Sequence, residues 1–192
     1  MTPSAISWRS ALALAASLLV VVWTFLAVSL PTERLGDRLQ LALPAVGLAC
    51  AAVRGGAADY AGRFAGLLVA AHGTKAILGD APLNRRPKGG NAGFPSAHTA
   101  VAVFGASYLA RECGGLVPYA GPVLAVGAAF VGGTRIEAQR HTLPQVLAGA
   151  VYGLAFDLGL RSAASRRALR RTLRSVAIRL RWLTRDSRRP AS

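Results

Sequence analysis

The stretch Phe94-Pro95-Ser96-Ala97-His98-Thr99 sets a turn, a hydroxyl able to cap a helix and an imidazole at the start of a long apolar run. Upstream lies Arg85-Arg86-Pro87-Lys88; downstream, after one more apolar run, Arg135 is followed six positions later by His141. A Ser at a helix start leaves the first backbone N–H groups aimed outward, where they and the positive end of the helix dipole favour an anion. Ser96 alone would be no more than a cap. His98, in the first turn, would look into the same space with a group that titrates near neutrality and can give a proton to a leaving oxygen. Arg86 and Arg135 carry permanently charged forks of donors that match a phosphate's oxygens. Lys75 is a further cation, suited either to snorkelling or to the same site. His141 could attack phosphorus and hold the group covalently if a third group fixed its tautomer. No acidic cluster or Cys/His metal spacing accompanies these residues, so a mechanism without metal or other cofactor is expected.

These islands are separated by apolar runs. The chain of 192 residues is 53% hydrophobic and 16% charged, well below the roughly 25% charge of an average soluble domain. Residues 11–30 carry no charge and are long enough to cross a bilayer. Further runs cover 39–53, about 64–78, 96–110, 116 to about 131, and 143–160, with Pro144 suited to a helical first turn. Polar connections are expected at 31–38, 54–63, 79–95, 111–115 and 132–142. Residues 79–95 form the longest of them, and their length and Gly/Pro/Asn/Arg composition point to function. His72 is expected to be hydrogen-bonded inside the bundle.

Net charge is +15, but the charge is not spread as on a nucleic-acid-binding surface. Eleven of 23 Lys and Arg lie between Arg161 and Arg189, where Leu169, Leu173, Val176, Leu180 and Leu183 recur at helical spacing. That pattern reads as an amphipathic helix on anionic lipid rather than a nucleic-acid partner. The expected architecture is all-α: a six-transmembrane-helix domain at 1–160 and a basic cytoplasmic tail at 161–192. By the positive-inside rule the tail is cytoplasmic, and the loops carrying Arg86 and Arg135 face the outside, or periplasm, together. Cys50 and Cys113 read as small apolar filler, not as a disulfide framework.

The motifs resemble those of the type 2 phosphatidic acid phosphatase (PAP2) superfamily, whose pattern is Lys-x6-Arg-Pro, Pro-Ser-Gly-His and Ser-Arg-x5-His-x3-Asp. Here Arg86-Pro87, Pro95-Ser96-Ala97-His98 and Thr134-Arg135-x5-His141 stand in that order. The resemblance covers roughly 11–160 and implies a bacterial-type inner-membrane phosphatase acting on a lipid phosphate or diphosphate. It implies His141 as nucleophile, His98 as acid, and Lys75, Arg86, Arg135, Ser96 and the Ala97 N–H as the phosphate cradle. The chain departs from the pattern at four places. Lys75 is separated from Arg86 by ten residues instead of six, so that Arg85 is an alternative. Ala97 replaces Gly, which matters if a positive φ is required, and Thr134 replaces Ser. Gln145 replaces the Asp that orients the histidine, leaving a carbonyl to accept its hydrogen bond but no negative charge; Glu137 could supply one. A headgroup-binding protein without turnover, or a lipid phosphotransferase, would use the same residues. Restoring the acid with Gln145→Asp is expected to raise turnover if the protein is an impaired enzyme.

Overall fold

The computed structural model describes residues 32–116 and 119–159. The expected first span at 11–30 and the Arg-rich tail lie outside these residues. Among the described residues five α-helices follow one another: α1 (Thr32–Val53), α2 (Ala57–Leu78), α3 (Ala97–Glu112), α4 (Ala120–Glu137) and α5 (Leu143–Leu154), the last running into a short π-helical turn, Ala155–Gly159. No strand occurs among the described residues, in agreement with an all-α architecture. No helix of the described residues is long and apolar enough to cross a membrane.

The helices reach further into polar sequence than the apolar runs do. α1 begins at Thr32, so the charged connection expected at 31–38 is instead its first two turns. Likewise α2 begins at Ala57, and α4 continues to Glu137, which puts Arg135 in a last helical turn rather than in a loop. Hydropathy marks where a helix is buried in apolar surroundings, whereas backbone hydrogen bonding continues into its solvated ends.

α3 is the central helix. Its buried residues include Thr99, Ala100, Val101 and Ala102, then Phe104, Gly105 and Ala106, then Tyr108 and Leu109, as expected of a helix covered on nearly every side. α1, α4 and α5 pack against it most extensively. Glycines permit backbone-close crossings: a Cβ at Gly105 would stand 2.5 Å from the Leu43 carbonyl carbon, and one at Gly149 would stand 2.4 Å from the Ser96 carbonyl oxygen. Between α1, α2 and α3 the core holds Tyr60, Phe64, Phe104 and Tyr108, with the Arg63 guanidinium over the last two rings. Arg63 also donates to Asp157 Oδ1 at 2.9 Å, and Arg111 pairs with the other oxygen of this fully buried carboxylate.

Cys50 and Cys113 are joined in a disulfide between the C-terminal ends of α1 and α3, with Cα atoms 6.6 Å apart. This corrects the reading of both as apolar filler; the chain separation of 63 residues hides the pairing from the sequence. His72 is exposed on α2 rather than bonded inside the bundle. The disulfide and the Asp157 cluster belong to one end of the helices. The N-termini of α1, α3 and α5, the C-terminus of α4 and the 79–96 loop form the other.

Candidate active site

At that second end a cavity of about 200 Å³ is lined by Glu33, Asp37, Arg86, His98, Arg135, Arg140 and His141. The structure therefore brings together four of the residues singled out in the sequence, from three separate islands. The His98 and His141 rings face the same space with centroids 6.5 Å apart.

His141 is held from behind. Its Nδ1 lies 2.9 Å from the Gly93 carbonyl and 3.2 Å from Gln145 Oε1. Both partners are carbonyl oxygens and can only accept, so Nδ1 carries the proton and the Nε2 lone pair is free. The Gln145 amide cannot be turned round without loss: its Nε2 donates to the carbonyls of Leu83 (2.9 Å) and Arg85 (2.7 Å), while Oε1 also accepts from the Thr142 N–H (3.1 Å). Thr142 and Gln145 form a capping box on α5, with Pro144 in its first turn. The Thr-x-x-Gln signature was legible in the sequence. It shows Gln145 occupying a site made for an amide, with four hydrogen bonds. Glu137 supplies no charge to His141; it accepts from Thr32 at the start of α1.

The His141 pKa is lowered to about 4: burial is the main cause, the positive charges of Lys75 and Arg86 act in the same direction, and the bonds to Gln145 and Gly93 oppose them. His141 is thus neutral at ordinary pH, as a nucleophile must be.

Ser96 caps α3. It is fully buried, its Oγ accepting from the Thr99 hydroxyl at 3.0 Å, and its N–H donates to the Gln145 carbonyl at 2.9 Å. That backbone bond, with the close Gly149 crossing, fixes the start of α3 against the start of α5 and thereby His98 relative to His141. Ala97 is the first residue of α3 and is not among the positive-φ residues, so replacement of Gly carries no conformational cost here. Ser96 and Lys75 are not among the residues lining the cavity. Buried Lys75 donates to the carbonyls of Ala92 (3.1 Å) and Pro95, bracing the loop from behind. Arg86 reaches the same Ala92 carbonyl through Nε (3.3 Å) and Nη2 (3.0 Å). A left-handed φ of 73° at Ala92 turns that oxygen toward both cations. The neighbouring Phe94-Pro95 peptide is cis.

Three cavity residues escaped sequence reasoning: Glu33, Asp37 and Arg140. Asp37 Oδ1 accepts from Arg135 Nη1 at 2.8 Å and lies 3.4 Å from His98 Nε2. Glu33 pairs with Arg140 at 2.9 Å and its carbonyl accepts from Arg135 Nη2 at 2.7 Å. Gly36 makes this approach possible: a Cβ there would stand 2.1 Å from Thr134 Oγ1. Among the described residues there is no group of three or more His, Cys, Asp or Glu that could hold a metal ion.

Two histidines and two arginines from three ordered motifs converge on this cavity, and a family model described as the PAP2 superfamily matches residues 11–168. The chain belongs to the PAP2 superfamily. No curated protein and no solved structure matches it. PAP2 membership points to a phosphatase or phosphoesterase, and the matched region takes in every residue of the cavity.

Proposed function

We propose that this PAP2 protein hydrolyses a phosphomonoester or diphosphate on a membrane lipid, such as a prenyl diphosphate or phosphatidate, through a phosphohistidine at His141. The observation that carries the proposal is the fixed tautomer of His141, whose free Nε2 belongs to a cavity also lined by Arg86, Arg135 and His98. His141 Nε2 attacks phosphorus, and the P–O bond to the lipid breaks as the leaving oxygen takes a proton from His98. Water then gives a proton to His98 and attacks phosphorus, and the P–N bond breaks with its electron pair returning to His141. Arg86 and Arg135 balance the charge on the equatorial oxygens, with Lys75, Ser96 and Ala97 acting through the loop and helix start that they hold.

Two features support a lipid substrate. Large apolar side chains, including Leu41, Val69, Val123, Val126, Leu147 and Val151, are exposed on the outer faces of the helices. An apolar groove of about 610 Å³ between α3, α4 and α5 also starts beside the site, where Thr99, Ile136 and Leu143 line it. With the apolar stretch at 11–30, this leads us to propose a multi-pass protein of the inner membrane with its site facing outward and the Arg-rich tail on anionic lipid inside.

A headgroup-binding protein without turnover would have the same cradle. It has no use for a histidine neutralised by burial and locked in one tautomer, so hydrolysis is the better reading. A panel of lipid phosphates assayed for phosphate release in the presence of a chelator tests it: release abolished by His141→Ala is expected. Release that survives this change, or that requires Mg²⁺, overturns the mechanism. Addition of alcohol or sugar acceptors to the same assay detects phosphotransfer.

A further inference from the structure

Two carboxylates, Glu33 and Asp37, line the cavity assigned to phosphate, and Asp37 is the one in contact with both Arg135 and His98. Arg135 is almost fully buried, and its donors are mostly committed: Nε and Nη2 lie 3.3 Å from Thr134 Oγ1, Nη2 donates to the Glu33 carbonyl, and Nη1 donates to Asp37 Oδ1 at 2.8 Å. The same Asp37 oxygen lies 3.4 Å from His98 Nε2. One carboxylate oxygen thus bridges the arginine assigned to phosphate and the histidine assigned to the leaving group, as a phosphate oxygen would. The partners of Arg135 differ in their freedom to leave. Thr134 is its chain neighbour and the Glu33 carbonyl is part of the α1 backbone, whereas the Asp37 side chain is 44% exposed and can swing into solvent.

We propose that Asp37 is the resident counter-anion of the PAP2 site, which a phosphate must displace from Arg135, so that Asp37 sets the charge needed to bind. The inference rests on the phosphate-site reading above. A dianionic terminal phosphate outcompetes one carboxylate on charge, whereas a phosphodiester, with a single charge, gains little by the exchange. After hydrolysis the return of Asp37 to Arg135 assists release of inorganic phosphate.

The test is calorimetric titration of the full-length protein with inorganic phosphate, comparing wild type, Asp37→Asn and Glu33→Gln. Both variants remove one negative charge from the cavity, but Glu33 Oε1 is paired with Arg140 and lies 3.9 Å from Arg135 Nη1. Removing a charge in contact with the binding arginine should tighten phosphate binding about tenfold in Asp37→Asn. Glu33→Gln should change it by less than about threefold, as expected for a more distant, solvent-screened charge. Asp37→Ser repeats the measurement if the Asn variant does not fold. Unchanged or weaker binding in the Asp37 variant overturns the proposal, as does equal tightening in Glu33→Gln, which would reflect net charge rather than occupancy. Absence of binding in all three proteins overturns the phosphate-site reading itself and this inference with it.

Discussion

Gln145 Oε1 lies 3.2 Å from His141 Nδ1, while its amide nitrogen is bound to the carbonyls of Leu83 and Arg85. The amide therefore ties His141 to the loop that carries Arg86 and caps α5 at the same time. An aspartate could do only part of this. Gln145→Asp removes the donor, leaving two part-buried carbonyls without that partner at up to roughly 1 kcal/mol each, and sets a carboxylate against them. The gain of turnover expected from the motif alone is replaced by the opposite expectation: a lower melting temperature and turnover no higher than wild type. Gln145→Leu should lower turnover roughly ten- to a hundredfold, less than the ~10⁴ seen where a histidine loses its tautomer altogether, because Gly93 still accepts from Nδ1–H. Turnover and thermal melting of the two variants check both statements.

The protonation state of His141 can be observed directly. Its ionisation is lowered to about 4, so the neutral form persists through the neutral range and charges only as pH falls through that value. The chain contains three histidines, few enough to assign by ¹⁵N-imidazole NMR. The spectrum should show His141 as a fixed Nδ1–H tautomer from pH 8 down to about 5. Titration near the ordinary histidine value of about 6.5 would contradict the burial and contacts described.

Gly93 is a position where a single methyl group should be felt. A Cβ there would stand 2.5 Å from Gln145 Nε2 and 2.8 Å from both Cδ and Oε1, a buried amide with no room to retreat. Gly93→Ala should displace Gln145 and His141 together, lowering turnover by at least about tenfold with overall helicity by circular dichroism unchanged.

The disulfide makes a prediction about both stability and placement. Closing a 63-residue separation is worth about 2–4 kcal/mol, so Cys50→Ser should lower the melting temperature of oxidised protein and leave reduced protein nearly unaffected. In the proposed topology the Cys50–Cys113 end faces the cytoplasm, where thiol pools hold cysteines reduced. Alkylation in intact cells should therefore find two thiols that join on purification in air. A disulfide already formed in cells would reverse the proposed orientation.

The residues whose chemistry is distinctive were legible in the sequence. Arg86, His98, Arg135 and His141 announce themselves by type and spacing, and they meet in one cavity. The all-helical architecture was legible too. Less visible was what depends on three-dimensional neighbours. Asp37 and Glu33 belong to a stretch whose charges suggest a loop, and only the close approach of Gly36 to Thr134 brings them to Arg135. The Cys50–Cys113 pair is made by two helix ends distant in sequence. Gln145 is the instructive case, because comparison with a motif reads it as a lost acid, whereas the capping box formed with Thr142 gives it a positive role.

The mechanism proposed above requires that His141 Nε2 becomes phosphorylated. A single-turnover reaction with a ³²P-labelled lipid phosphate, quenched in base and digested for mass spectrometry, tests it most directly. An acid-labile, base-stable phosphate is expected on the peptide carrying His141, absent in His141→Ala and prolonged in His98→Ala. Turnover without any label on His141, or with label on another residue, would contradict it.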